Sequence, residues 1–169
     1  MFELLLEPAK LFINAGMDSF KKSKELANLK IAVRQRITRE IKLNAAVLDE
    51  IIKNYYDKEG AVAEKNALIM ALRTRAFDDL NDGAIPVSLL ISGDAEHWPA
   101  AATKDEKERY LKYLSSIKTT IDLLDRAYYR IHIARILASS GKCDSDLRYI
   151  RYMLTALIVN LRDEDNSGS

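Results

Sequence analysis

Arg126 and His132 have the side-chain chemistry of a catalytic pair, and both lie on the most regular apolar pattern of the chain. An imidazole exchanges a proton near neutral pH, whereas a guanidinium binds phosphate or carboxylate oxygens through parallel hydrogen bonds. On a helix, a separation of six residues turns the second side chain by about 600°, which leaves the two roughly 120° apart. The pair is therefore a candidate catalytic site whose two members do not share one helix face.

An arginine, five intervening residues and a histidine resemble the motif of HEPN-type ribonucleases. The resemblance covers these two residues, and Ala127 stands where members of that family often carry a polar residue. It implies a helical bundle that dimerises, uses no metal and cleaves RNA. In that family the histidine and the arginine act on the ribose 2′-hydroxyl and the scissile phosphate. A metal-independent ribonuclease using Arg126 and His132 is accordingly our first alternative function.

The other candidates for metal or covalent chemistry lack the spacing that such sites need. His97 follows Asp94 and Glu96, but this spacing matches no closed metal site and the second histidine lies far along the chain. Cys143 is the single cysteine, which excludes an internal disulfide and a cysteine-based zinc site. A Gly-rich phosphate loop and the Glu-x-x-His pairs of di-metal bundles are also missing from the sequence. We therefore predict no metal and no cofactor.

Composition predicts one helical domain. The chain has 169 residues, of which 48% are hydrophobic and 30% are charged, as in an ordinary globular domain. Six glycines and three prolines leave few turns for a many-stranded β fold. The apolar start lacks the basic region of a secretory signal, and no apolar run reaches the roughly 18 residues of a membrane span. We predict a single cytoplasmic domain over residues 1–162 and a disordered tail over residues 163–169.

Apolar residues recur every three or four positions along four stretches, which predicts four helices. The most regular stretch covers residues 103–140. It begins with a capping box at Thr103 and Glu106, and Gly141 ends it because glycine adopts the left-handed conformation without steric cost. The other predicted helices cover residues 18–58, 61–80 and 145–162.

The predicted fold is all-α: an elongated four-helix up-down bundle with two long and two short helices, an N-terminal helical segment and one long loop. The helical segment covers residues 1–17 and the loop covers residues 81–102, within which residues 87–92 fit either a helix or an extended run. Asn44 falls inside the apolar stripe of the second long helix. A buried asparagine in such a stripe usually pairs across the interface and fixes register, so we interpret Asn44 as a structural polar residue.

The unequal helix lengths lead to our main functional prediction. An antiparallel neighbour covers a long helix only as far as the neighbour reaches, so the two long helices should leave apolar flanks exposed near residues 18–39 and 103–119. An exposed apolar patch on a basic surface is typical of a docking site. We predict a non-enzymatic interaction or assembly module that binds a protein partner, or a second copy of the chain, at this end. The predicted partner-binding residues are Lys21, Lys22, Lys30, Arg34, Ile37 and Trp98.

The basic stretch over residues 21–42 supports a further alternative. Clustered lysines and arginines attract the phosphates of nucleic acids and of anionic membrane surfaces. Residues 1–17 either cap the bundle or make a peripheral membrane contact, since an amphipathic segment beside basic residues suits both arrangements. The alternative function is therefore a nucleic-acid or membrane-surface binder that uses this stretch.

Overall fold

The computed structural model describes residues 3–142 and 145–166, and in this part of the chain the regular structure is helical apart from one isolated bridge between Asp94 and Thr119. The all-α prediction is confirmed at this level. Among the described residues, no helix combines the length and the apolar composition that crossing a bilayer requires. The helices are α1 Glu3–Ala15, α2 Met17–Lys21, α3 Lys24–Asn54, α4 Val62–Met70, α5 Arg75–Asn81, α6 Val87–Leu90, α7 Lys104–Tyr113, α8 Thr120–Ser139 and α9 Leu147–Asn166.

The helix predicted over residues 103–140 is two helices, so the prediction of a single rod is wrong. The break has a local cause. Thr119 and Asp122 form a capping box, in which the Thr119 hydroxyl accepts from the Asp122 amide at 3.1 Å and the Asp122 carboxylate accepts from the Thr119 amide at 3.2 Å. The amide of Thr120 also donates to the Gly93 carbonyl at 3.0 Å. A new helix therefore starts at this point.

The second long helix is shorter than predicted. Ser23 starts α3, because its hydroxyl accepts from the Leu26 amide at 3.1 Å, and α2 precedes it as a separate turn. At the other end of the chain, α9 continues past the predicted end at Arg162 to Asn166. Residues 167–169 of the predicted tail lie outside the described residues. Within the predicted loop, the run over residues 87–92 is helical only over α6, Val87–Leu90, and Ile91 after it is extended.

The predicted helix over residues 61–80 is also divided, into α4 and α5. Asn44 causes this break. Its side-chain nitrogen donates to the Arg73 carbonyl at 2.7 Å, and its side-chain oxygen accepts from the Arg73 amide at 2.7 Å. Asn44 is fully buried, so these bonds satisfy a side chain that water cannot reach. Asn44 thus pairs with a backbone segment across the interface.

Pairs of contacts fix the direction of neighbouring elements. Asn44 contacts Arg73 and Glu40 contacts Ala76, so α3 runs antiparallel to the chain through α5. The bond between Asp49 and Arg151 joins the late part of α3 to the early part of α9. The helices α3 and α8 each contact both α4 and α9. These contacts enclose the apolar core.

Most large apolar side chains of the flank predicted at residues 18–39 are buried, although Ile31 is 54% exposed, so the premise of the docking prediction is wrong for most of this flank. Leu26, Leu29 and Val33 expose at most 5% of their surface. The reason is that α1, α2 and α6 all contact α3, and the Phe20 side chain of α2 is completely buried. Short elements of the chain therefore take part in covering α3.

Candidate functional site: an arginine cleft

The structure places Arg126 and His132 against different parts of the molecule. Arg126 Nη1 donates to the Tyr113 carbonyl at the end of α7, at 3.4 Å. His132 Nε2 lies 3.2 Å from Asp78 Oδ1 of α5. The helix rotation between positions 126 and 132 thus directs the two side chains to separate neighbours. They are not brought together at one reacting atom.

The predicted partner-binding residues are also dispersed. Lys21 and Lys22 are exposed, and Lys30 is partly buried. Ile37 is only 1% exposed, so its assignment as a partner-binding residue is wrong: its side chain belongs to the core. Trp98 is half-buried and packs against the core from the long loop. Arg34 is partly buried on α3.

A cleft of about 720 Å³ opens between α3, the junction of α4 with α5, and α8. Its cationic lining consists entirely of arginine. Two carboxylates, Glu40 and Asp78, and the apolar side chains of Leu43 and Met70 also line it. Five positive charges against two negative ones contrast with a net charge of +1 for the whole chain. We call this the arginine cleft, after its five arginines Arg36, Arg39, Arg73, Arg75 and Arg135.

Glu40 holds the wall of the cleft together. Its carboxylate is 7% exposed and accepts hydrogen bonds from the Ala76 amide and from the Tyr128 hydroxyl, both at 2.8 Å. Burial, and after it the adjacent Glu40 carboxylate, raise the pKa of Tyr128, which keeps this hydroxyl protonated as a donor. The Tyr128 ring stacks on Phe77 with 4.4 Å between ring centroids. One carboxylate therefore joins α3, α5 and α8.

The chain positions the arginines from three directions. Arg36 and Arg39 lie three residues apart on α3, which places them on one face of that helix. Arg73 lies in the break between α4 and α5, where Asn44 binds its backbone, and Arg75 is the first residue of α5. Arg135 reaches in from α8, where its Nη1 donates to the Thr74 hydroxyl at 3.2 Å. The break between α4 and α5 thus places Arg73 and Arg75 in the same cleft as the arginines of α3 and α8.

Most of this positive charge is not neutralised by the side chains that the structure describes. Arg36 forms an ion pair with Asp79. The Asp78 carboxylate is already engaged, by the Thr74 hydroxyl at 2.7 Å and by His132. Among the residues whose side chains the structure describes, which are 7–11, 13–14, 16–142 and 145–162, no carboxylate forms an ion pair with the other four arginines of the cleft. These four, which we call the unpaired cleft arginines, are Arg39, Arg73, Arg75 and Arg135.

Sequence reasoning found part of this site. The basic stretch over residues 21–42 contains Arg36 and Arg39, but Arg73, Arg75 and Arg135 were not predicted as functional. A signal was present: Arg73 and Arg75 interrupt the apolar pattern of residues 61–80, where a continuous amphipathic helix would place them on different faces. This interruption, considered together with the predicted buried Asn44, would have indicated the break between α4 and α5.

The arrangement has the chemistry of an anion-binding site, since guanidinium groups bind carboxylates and phosphates in a bidentate manner. In the part of the chain that the structure describes, no three histidine, cysteine, aspartate or glutamate residues are grouped as metal ligands. Comparisons of the chain with known family models, with curated proteins and with solved structures find no match.

Proposed function

We propose that this protein is a non-enzymatic interaction module that holds an anionic group of a partner in the arginine cleft. The observation that carries the proposal is the set of four unpaired cleft arginines around one cavity. Like charges gathered in one cleft repel one another, and the repulsion decreases when an anion enters. The walls of a cleft also exclude part of the screening solvent, which strengthens the attraction for that anion.

This proposal keeps the class of function that the sequence predicted, an interaction module, but assigns the binding site to a different surface. The module still binds through a basic surface, but that surface lies beside the middle of α3, where Arg36 and Arg39 belong to the predicted basic stretch. The scaffold we propose is an up-down bundle of α3, the chain through α4 and α5, α8 and α9, with α1, α2 and α6 as covers. The antiparallel contacts of Asn44 and Glu40 support this arrangement.

The ribonuclease alternative has no supporting contact in this arrangement, because Arg126 and His132 bind different elements. The basic stretch of the alternative function, nucleic-acid or membrane binding, includes Arg36 and Arg39, which also line the cleft. A nucleic acid or an anionic membrane would therefore be a different ligand for the same surface, and binding assays can distinguish these ligands from a protein partner.

Binding of labelled anionic probes tests the proposal. A fluorescein-labelled glutamate-rich peptide and a labelled oligouridylate are titrated with the protein, and anisotropy is followed at low and at physiological salt. We expect at least one probe to bind and its affinity to fall as salt rises. Replacing two arginines together, Arg39→Gln with Arg73→Gln, should weaken binding at least about tenfold, because hydrogen bonds to charged groups contribute about 1.5–3 kcal/mol each.

Arg109→Gln with Arg148→Gln is the matched control. It removes the same two charges from α7 and α9, which contribute no residue to the cleft, so affinity should stay unchanged. Equal losses in the two double variants would mean that the probe responds only to total charge, and the proposal would be wrong. It would also be wrong if neither probe bound the unmodified protein.

A further inference from the structure

We infer that the occupant of the arginine cleft is an acidic segment of another protein that also carries an apolar side chain. This inference rests on the proposed function and specifies its ligand. Three features of the cleft lead to it: the apolar residues at its rim, the kinds of side chain that line it, and the order in which charge and apolar surface follow one another along α3.

Two large apolar side chains lie among the arginines. Leu43 is 43% exposed and Met70 is 41% exposed, and both line the cleft. Methionine and arginine are enriched at protein interfaces, and methionine adapts its shape to irregular partners. A ligand that offered only charge would leave both side chains in water, whereas an apolar side chain of a partner would bury them. The cleft is thus suited to a ligand that is acidic and partly apolar.

The lining does not suit a nucleic-acid strand. Proteins that bind single strands stack successive bases on aromatic side chains, and no aromatic residue is among the described residues that line the cleft. The tyrosines Tyr110, Tyr149 and Tyr152 instead pack against one another between α7 and α9.

The order of side chains on α3 gives the shape of the expected segment. Arg36, Arg39 and Leu43 follow one another at three- and four-residue steps, so they occupy one face over about 10 Å, or two turns. Met70 is close along the chain to Arg73, which lies opposite Asn44, so Met70 belongs to the same end of the cleft as Leu43. A two-turn segment with two carboxylates and an apolar residue beyond them would match this order.

Three labelled probes test the inference. The first is a peptide with two glutamates four residues apart and a leucine one turn beyond; the second has serine in place of that leucine; the third is an oligouridylate of similar charge. We expect the leucine peptide to bind about fivefold more tightly than the serine peptide, because partial burial of one leucine accounts for a change of that size. The oligouridylate should bind more weakly than both peptides.

Substitutions of the two apolar residues of the cleft test the same contact from the side of the protein. Leu43→Ser with Met70→Ser should remove the preference for the leucine peptide, so that the leucine and serine peptides bind this variant with equal affinity. Ile136→Ser is the control, since Ile136 is 62% exposed on α8 and does not line the cleft. It should preserve the preference. Circular dichroism of each variant verifies that the helical content is retained.

The outcomes separate this inference from the proposed function. Equal binding of the two peptides, or tighter binding of the oligouridylate, would overturn the inference and leave an anion-binding cleft in place. Self-association that light scattering detects, and that the change of Arg39 and Arg73 abolishes, would identify a second copy as the occupant and overturn it as well. Failure of every probe to bind would overturn the inference and the proposed function together.

Discussion

Arginines occur on two sides of this molecule, and their surroundings differ. On the side formed by α7 and α9, Arg151 makes two hydrogen bonds to the Asp49 carboxylate, at 2.7 and 2.9 Å. Arg148 lies 3.4 Å from Glu106, and Arg109 lies 3.7 Å from Asp146. Around the arginine cleft, four arginines have no such carboxylate among the described residues. We call Arg109, Arg148 and Arg151 the paired arginines.

The difference indicates two roles for one residue type. A paired arginine joins neighbouring elements, as Arg151 joins α9 to α3, and its charge is neutralised within the chain. The unpaired cleft arginines contact no carboxylate among the side chains that the structure describes, although Arg135 donates one hydrogen bond to Thr74. Their positive charge remains available to a ligand. The comparison therefore predicts that changes on the α7–α9 side affect mainly folding and that changes of the cleft arginines affect mainly binding.

The largest effect on stability is expected at Glu40, on which the cleft wall depends. Glu40→Ala leaves the Ala76 amide and the Tyr128 hydroxyl buried without partners, and each such group costs about 1–3 kcal/mol. We expect the free energy of unfolding to fall by about 3 kcal/mol in urea denaturation. Tyr128→Phe removes one of the two bonds and should cost less than half as much. An equal cost for both variants would show that the Ala76 bond contributes nothing.

A smaller effect on the free energy of unfolding is expected to differ between the paired arginines and the unpaired cleft arginines. Arg151→Gln breaks the bidentate pair with Asp49 and should lower the free energy of unfolding by about 0.5–1 kcal/mol, as is typical of partly exposed pairs. Arg73→Gln should leave it unchanged or raise it slightly, because it relieves repulsion and keeps the backbone bonds to Asn44. The same denaturation experiment compares them. A larger loss for Arg73→Gln would invalidate the distinction between the two regions.

The smallest effect concerns the capping box that separates α7 from α8. Hydrogen bonds from Thr119 lower the pKa of Asp122 below its ordinary value of 3.8. The carboxylate therefore stabilises the fold fully above that value, and this stabilisation disappears as the pH falls through the lowered pKa. Asp122→Ala should reduce Tm at neutral pH, and the difference in Tm from the unmodified protein should narrow as the pH falls below the ordinary pKa and through the lowered one. A difference in Tm that stays the same at every pH would show that the charge of Asp122 does not stabilise the fold.

The sequence was sufficient to predict helices and much of the core, because the three- and four-residue periodicity of residues such as Val33, Ile37 and Leu48 records which face is buried. It did not show where the helices are interrupted. Apolar periodicity continues through residues 114–121, so it conceals the break that Thr119 and Asp122 create. A capping box can start a helix even where the pattern is unbroken.

The cleft was harder to predict than the fold, since its residues come from distant parts of the sequence. Arg39, Arg73 and Arg135 meet only because α3, the junction of α4 with α5, and α8 pack side by side. The contact between Asn44 and the Arg73 backbone depends on that packing as well. Periodicity identifies the buried face of each helix but not the neighbour that it meets. The partner of a basic residue therefore remained undetermined until the packing was known.

The central claim is that the unpaired cleft arginines bind an anionic partner while the paired arginines do not. Nuclear magnetic resonance of the arginine Nε–Hε groups tests it most directly, in a titration of the labelled protein with the leucine-containing acidic peptide. We predict that the resonances of the unpaired cleft arginines shift together to saturation and that those of the paired arginines stay in place. Shifts confined to the paired arginines, or no saturable shift at any arginine, would contradict the claim.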